Sequence, residues 1–199
     1  MYYVPSDMPR RSSAPARTLP FATFALVLAN LVVYLHELVI GGQKVCDAYG
    51  LIPARLVPET LLTSLFLHDP GNLTHLLGNM AFLAVFGTLV EGSLGHLRFL
   101  ALYGAAGVLG GFSHVLVDPS STSPLVGASG AVFGILAVAT VLRPRLLGFA
   151  VAFVGIEIWH AFAGGDGAVS FGCHLGGFFA GFLLVTILRA TGSEVLEAT

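Results

Sequence analysis

The feature that most constrains this chain is a succession of apolar runs, each near the length of a membrane-crossing helix. A crossing takes roughly 20 mostly apolar residues. Six stretches approach that length: residues 19–40, 73–90, 99–117, 126–142, 146–163 and 168–188. Only 10% of the 199 residues are charged, while 55% are hydrophobic; a soluble domain carries about 25% charged residues. So little charge cannot clothe a water-facing surface, which excludes a soluble enzyme and a disordered chain. A net charge of −2 leaves no basic field for a phosphate backbone, so no nucleic-acid partner is expected. Two cysteines, Cys46 and Cys173, make no disulfide framework. The 25 glycines suit close helix packing in lipid.

The expected fold is therefore an all-α integral membrane protein, a bundle of six transmembrane helices over residues 19–190. Polar tails flank it at 1–18 and 191–199. The first run is longer than the apolar core of a cleaved signal peptide and reads as a genuine span. The segment 41–72 contains Pro53, Pro58 and Pro70 and reads as an ordered loop with a short interfacial helix over 59–67. Cys46 falls in this loop, where a reagent outside the membrane would be expected to reach it.

Lys and Arg concentrate on cytoplasmic loops. With the N-terminus inside, Arg10, Arg11, Arg17, Arg98, Arg143, Arg145 and Arg189 lie in the cytoplasm, and Lys44 and Arg55 outside. This seven-to-two distribution predicts both termini in the cytoplasm. With no targeting presequence evident, a multi-pass protein of a prokaryotic plasma membrane is expected.

Polar groups inside a span are costly and are functional candidates by default. The second span carries His75 and Asn79, the fourth Ser129 and the sixth His174. All three spans run from outside to inside on this topology. Ser129 precedes Arg143 by 14 residues and His174 precedes Arg189 by 15, placing them ~21 and ~22 Å from the inner charges. His75 and Asn79 lie 16 and 12 residues before Glu91, or ~24 and ~18 Å. The four groups share one layer, below the outer surface and above the midplane. Small residues follow Ser129 at Gly130, Gly134 and Ala137, and follow His174 at Gly177 and Gly181. Such stripes let two backbones pack closely. If they face each other, Ser129 and His174 meet as an activated nucleophile, with His75 and Asn79 on one helix face as oxyanion donors. A lone intramembrane serine usually bonds back to its own helix; shared depth and paired stripes together carry the catalytic reading.

The residues at this point resemble those of the rhomboid intramembrane serine proteases. Gly127-Ala128-Ser129-Gly130 matches that family's GxSG motif. His174 with Gly177 and Gly181 resembles its last-helix pattern, and His75 through Asn79, after Phe66-Leu67-His68, its second-helix element. The resemblance covers roughly residues 21–189. It implies a Ser–His dyad without a carboxylate third member. Ser129 would be the nucleophile and His174 the general base and acid. The Ser129 N–H with His75 and Asn79 would hold the oxyanion, and Phe133 would pack on the histidine ring. It further implies transmembrane proteins as substrates, cut near the outer face. No cofactor and no metal are expected. The sequence departs from the family at Cys173, where alanine is usual, and in the absence of a Trp-Arg pair from the first loop.

Other features were weighed and set apart from the site. Glu157 and His160 have Glu-x-x-His spacing, but a di-iron site needs two such motifs and further glutamates, so they read as an interfacial helix end. His114 and His36 read the same way. Glycine-rich 164–170 is a candidate lid, and the fifth span, with Phe149, Phe153 and Trp159, is either a lateral gate or an ordinary lipid-facing helix. Two competing functions remain: a catalytically silent relative that binds or escorts membrane proteins, and a small transporter, though no internal repeat is present.

Overall fold

The computed structural model describes residues 19–163 and 171–191. These fold into an almost wholly helical bundle. Helix α1 covers Phe21–Ile40, and a Gly41 with φ of 96° turns the chain into a short α2, Gly42–Tyr49. After a 3₁₀ turn at Pro53–Arg55, α3 spans only Thr60–Thr63 and runs into a second 3₁₀ turn, Ser64–Phe66. Helices α4 (Leu73–Phe82) and α5 (Thr88–Leu94) are joined without a break by a π-helical segment, Leu83–Gly87. Then come α6 (His96–Val117), α7 (Ser129–Leu142), α8 (Leu147–Ala163) and α9 (Phe171–Ala190).

Among the described residues, Phe21–Ile40, Leu73–Leu94, His96–Val117 and Phe171–Ala190 are long and apolar enough to cross a membrane. The fourth expected span, 126–142, is corrected: its helix begins only at Ser129 and has 14 residues, ~21 Å of rise. That is too short for a hydrocarbon core ~30 Å thick. The reason lies in its surroundings. Twelve of its residues, Thr140 and Val141 excepted, are buried by neighbouring helices. Protein, not lipid, covers this helix, so non-helical backbone can precede it at membrane depth.

The core sits around α7, with α6 and α9 packed along it. Gly177 and Gly181 of α9 lie directly on the carbonyls of Gly130 and Gly134, leaving no room for a side chain at either position. The outer face of the bundle is apolar: Leu28, Val32, Leu35 and Val39 on α1, and Phe179, Phe182 and Leu183 on α9, are exposed. A continuous surface of this kind suits lipid. At the start of α1, the Glu91 carboxylate accepts from the N–H groups of Ala22 (2.8 Å) and Thr23 (2.7 Å) and from the Thr23 hydroxyl (2.6 Å), capping the helix. Arg189 donates to the Val141 carbonyl at 2.9 Å, tying α9 to the end of α7.

Candidate active site

The backbone leading into α7 is held from the first loop. Leu51 and Leu125 exchange both backbone hydrogen bonds, at 3.0 and 2.8 Å. Ala54 N–H donates to the Ser121 carbonyl at 3.0 Å and Gly127 N–H to the Ser64 carbonyl at 2.9 Å. Gly127 has a φ of 126°, a conformation open to glycine and few others. A Cβ there would also sit 2.8 Å from His75 Cε1. Ser129 follows at the first position of α7, where backbone N–H groups lack intrahelical acceptors. Its side chain and its amide are thus presented together at the mouth of a buried helix.

Ser129 and His174 meet across the α7–α9 contact. Ser129 Oγ lies 2.8 Å from His174 Nε2. The glycine contacts permit this approach, since they bring the two backbones together just beyond Ser129 and His174 and again one turn later. Phe133, one turn after Ser129, stacks on the His174 ring with centroids 4.4 Å apart and planes 7° from parallel. Phe133 in turn meets Phe153 of α8 at 5.1 Å, and Phe153 meets Phe82 of α4 at 4.8 Å.

The second imidazole nitrogen has a partner that the sequence reading left out. Glu157 of α8 places Oε2 2.7 Å from His174 Nδ1. Reading Glu157 as an interfacial helix end is corrected here. It turns toward α9, and only 17% of its side chain is exposed, against 12% for His174. Sequence spacing has no means of relating residue 157 to residue 174, because the link depends on the rotation of α8 about its axis. An acidic residue in an otherwise apolar run was the available signal.

His75 and Asn79 both approach Gly127: the missing Cβ would be 2.9 Å from His75 Nε2 and 3.6 Å from Asn79 Nδ2. The structure therefore gathers His75 and Asn79 around the turn that precedes Ser129. Asn79 is buried, and its Nδ2 lies 3.2 Å from His68 Nε2; an amide nitrogen carries two hydrogens, so one remains to donate elsewhere. His68 is itself fully buried. Its backbone N–H donates to the carboxylate of Glu37, at 3.3 Å to each oxygen. Burial, with His75 close by, pushes the His68 imidazole down to about 4, so it is neutral at ordinary pH and its Nε2 accepts from Asn79. Glu37 and His68 are thus a support for Asn79 that motif reading named only in part.

Other expectations meet the structure unevenly. Cys46 is corrected: α2 buries it to 2% exposure with its thiol against the His68 carbonyl. Burial and the nearby carboxylates of Glu37, Asp69 and Asp47 push that thiol up to about 11. Cys173 is buried against Gly130, away from solvent. His114 does lie in the last turn of α6, and it is buried there beside Gly172 of α9. On α8, Phe149 and Phe153 join the ring cluster while Trp159 is 70% exposed. The candidate lid at 164–170 and the side chain of His160 lie outside the described residues.

Comparison with known proteins bears on this arrangement. Residues 58–191 match the family model described as the rhomboid domain, a stretch that holds every candidate site residue. The chain is 30% identical over 182 residues to the putative rhomboid protease YdcA of Bacillus subtilis, covering 84% of this chain and 88% of that protein. It is 32% identical over 195 residues to the chloroplastic Rhomboid-like protein 11 of Arabidopsis thaliana, covering 87% and 68%. It is 29% identical over 197 residues to the rhomboid protease GluP of Bacillus subtilis, of which it covers 38%.

Proposed function

Since the chain belongs to the rhomboid family of multi-pass membrane proteins, we propose that it is an intramembrane serine endopeptidase that cuts transmembrane segments near the outer face of the bilayer. The observation that carries this reading is the 2.8 Å approach of Ser129 Oγ to His174 Nε2. Support comes from the relatives whose names call them rhomboid proteases. In the proposed reaction, Ser129 Oγ attacks the scissile carbonyl carbon while its proton passes to His174 Nε2. The carbonyl electron pair moves onto oxygen. The Ser129 N–H, His75 and Asn79 stabilise that oxyanion. Collapse breaks the C–N bond, and His174 returns the proton to the leaving amine. Water then repeats the attack on the acyl ester, with His174 as base, and frees Ser129.

The role of Phe133 is to hold the imidazole plane, and those of Gly130, Gly177 and Gly181 are to let α7 and α9 close. Gly127 makes room for the His75 ring. The substrates are transmembrane proteins, and the protein resides in a plasma membrane with both termini cytoplasmic, on the strength of the seven-to-two basic distribution. The test is cleavage of a reporter transmembrane segment by purified protein in lipid vesicles. Ser129→Ala abolishes turnover while the protein keeps its thermal stability. Turnover retained in that variant would favour a protein that only binds membrane segments, with a contaminant responsible for cleavage.

A further inference from the structure

A serine hydrogen-bonded to histidine suffices as an activated nucleophile. Yet imidazole has two neutral tautomers, and only the one with a bare Nε2 can take the serine proton. The partner of the other ring nitrogen decides which tautomer is present. In this protein that partner is Glu157, 2.7 Å from His174 Nδ1, within the range of a charge-assisted hydrogen bond. An ionised Glu157 can only accept there, which would put the hydrogen on Nδ1 and turn the Nε2 lone pair to Ser129 Oγ. The stacked Phe133 ring fixes the imidazole plane. One nitrogen then addresses α7 and the other α8.

We infer that Glu157 is a positioning residue for His174, completing a Ser129–His174–Glu157 relay in place of a bare dyad. This rests on the Ser129–His174 reading proposed above. The carboxylate holds the Nδ1–H tautomer and stabilises the imidazolium that forms when the Oγ–carbon bond is made and the hydroxyl proton moves to Nε2. Glu157 itself takes no proton, as in other serine–histidine–carboxylate systems. On collapse the scissile C–N bond breaks, the Nε2 proton goes to the leaving nitrogen, and Glu157 is again paired with a neutral ring. Low exposure of both side chains, 17% and 12%, keeps bulk water from screening the pair. The three groups come from three helices. Backbone-to-backbone packing fixes α7 and α9 together, whereas α8 meets the site through its phenylalanine rings and through Glu157. Phe133 and Ser129 of α7 thus hold the ring from one side and Glu157 of α8 from the other.

The experiment compares full-length wild type, Glu157→Gln, Glu157→Asp and Ser129→Ala in lipid vesicles. It measures kcat and KM for a reporter segment and thermal stability. Glu157→Gln keeps size and removes charge. Loss of the carboxylate in such triads costs ~10⁴ in rate, so a fall in kcat of at least ~10² is expected, with KM within about twofold and stability unchanged. Glu157→Asp restores the charge and recovers at least ~10-fold over Glu157→Gln. The inference is overturned by full kcat in Glu157→Gln, by Glu157→Asp no better than Glu157→Gln, or by a kcat loss matched by lost stability. Ser129→Ala separates the two readings. If it is inactive while Glu157→Gln is fully active, only the relay falls; if it remains active, the dyad falls as well.

Discussion

Asn79 illustrates how a single polar side chain is made useful at membrane depth. In the proposed reaction its amide has to aim at a developing charge, and a buried amide left to itself would rotate toward any acceptor. His68 Nε2 takes one of its hydrogens, and Glu37 holds the His68 backbone. Losing one oxyanion donor typically costs ~10²–10³ in rate. Asn79→Ala should therefore lower kcat by about that factor with little change in KM, measured with the same reporter; an unchanged kcat would leave Asn79 as a packing residue. The support has its own pH signature. Folding drives His68 from its ordinary 6.5 down to about 4, so between those values the unfolded chain binds more protons than the folded one. The His68 contribution to stability then rises with pH across that window and is constant above it. The shift corresponds to about 3 kcal/mol at most. Thermal unfolding from pH 4 to 7 should therefore show wild type gaining stability relative to His68→Gln as pH rises through this window. A slope identical in both would contradict the assignment.

At the level of elements, the contact of α7 with α9 decides whether a site exists at all. Gly181 lies on the Gly134 carbonyl, and overpacking such a contact typically costs 1–3 kcal/mol or more. Gly181→Leu should lower thermal stability and abolish cleavage together, whereas Gly92→Ala, at a position with open space around it, should alter neither. Much of this contact was legible in the sequence. A serine and a histidine at equal depth, each followed by small residues four apart, can only meet if their helices face each other. Phe133 was expected only through the family resemblance, and its stacking on His174 is seen in the structure. The parts that were not legible depend on helix rotation or loop path. Nothing in residues 146–163 announces that Glu157 faces α9, and no periodicity marks α2, which has only eight residues and buries Cys46. The start of α7 at Ser129, not 126, follows from tertiary hydrogen bonds of Leu125 and Gly127, which local propensity does not register.

Seen whole, the molecule separates a lipid-facing surface from an interior that holds its polar chemistry. Leu28, Leu35, Phe179 and Leu183 face outward, while Asn79, Ser129, His68 and Glu37 are buried. The proposed topology can be read directly because both native cysteines are buried. In intact cells an impermeant maleimide should label Ser120→Cys, in the loop before α7, and spare Arg145→Cys, between α7 and α8; native Cys46 should stay unlabelled in both. Labelling of Arg145→Cys alone would invert the orientation and with it the face at which substrates are cut. Everything in the proposed reaction depends on Ser129 as nucleophile and His174 as its base. The most direct measurement is mass spectrometry of the membrane-embedded protein after reaction with a fluorophosphonate. One covalent adduct is expected, on Ser129, absent in Ser129→Ala and greatly slowed in His174→Ala. An adduct on another residue, or equal labelling of Ser129 in the His174→Ala protein, would contradict it.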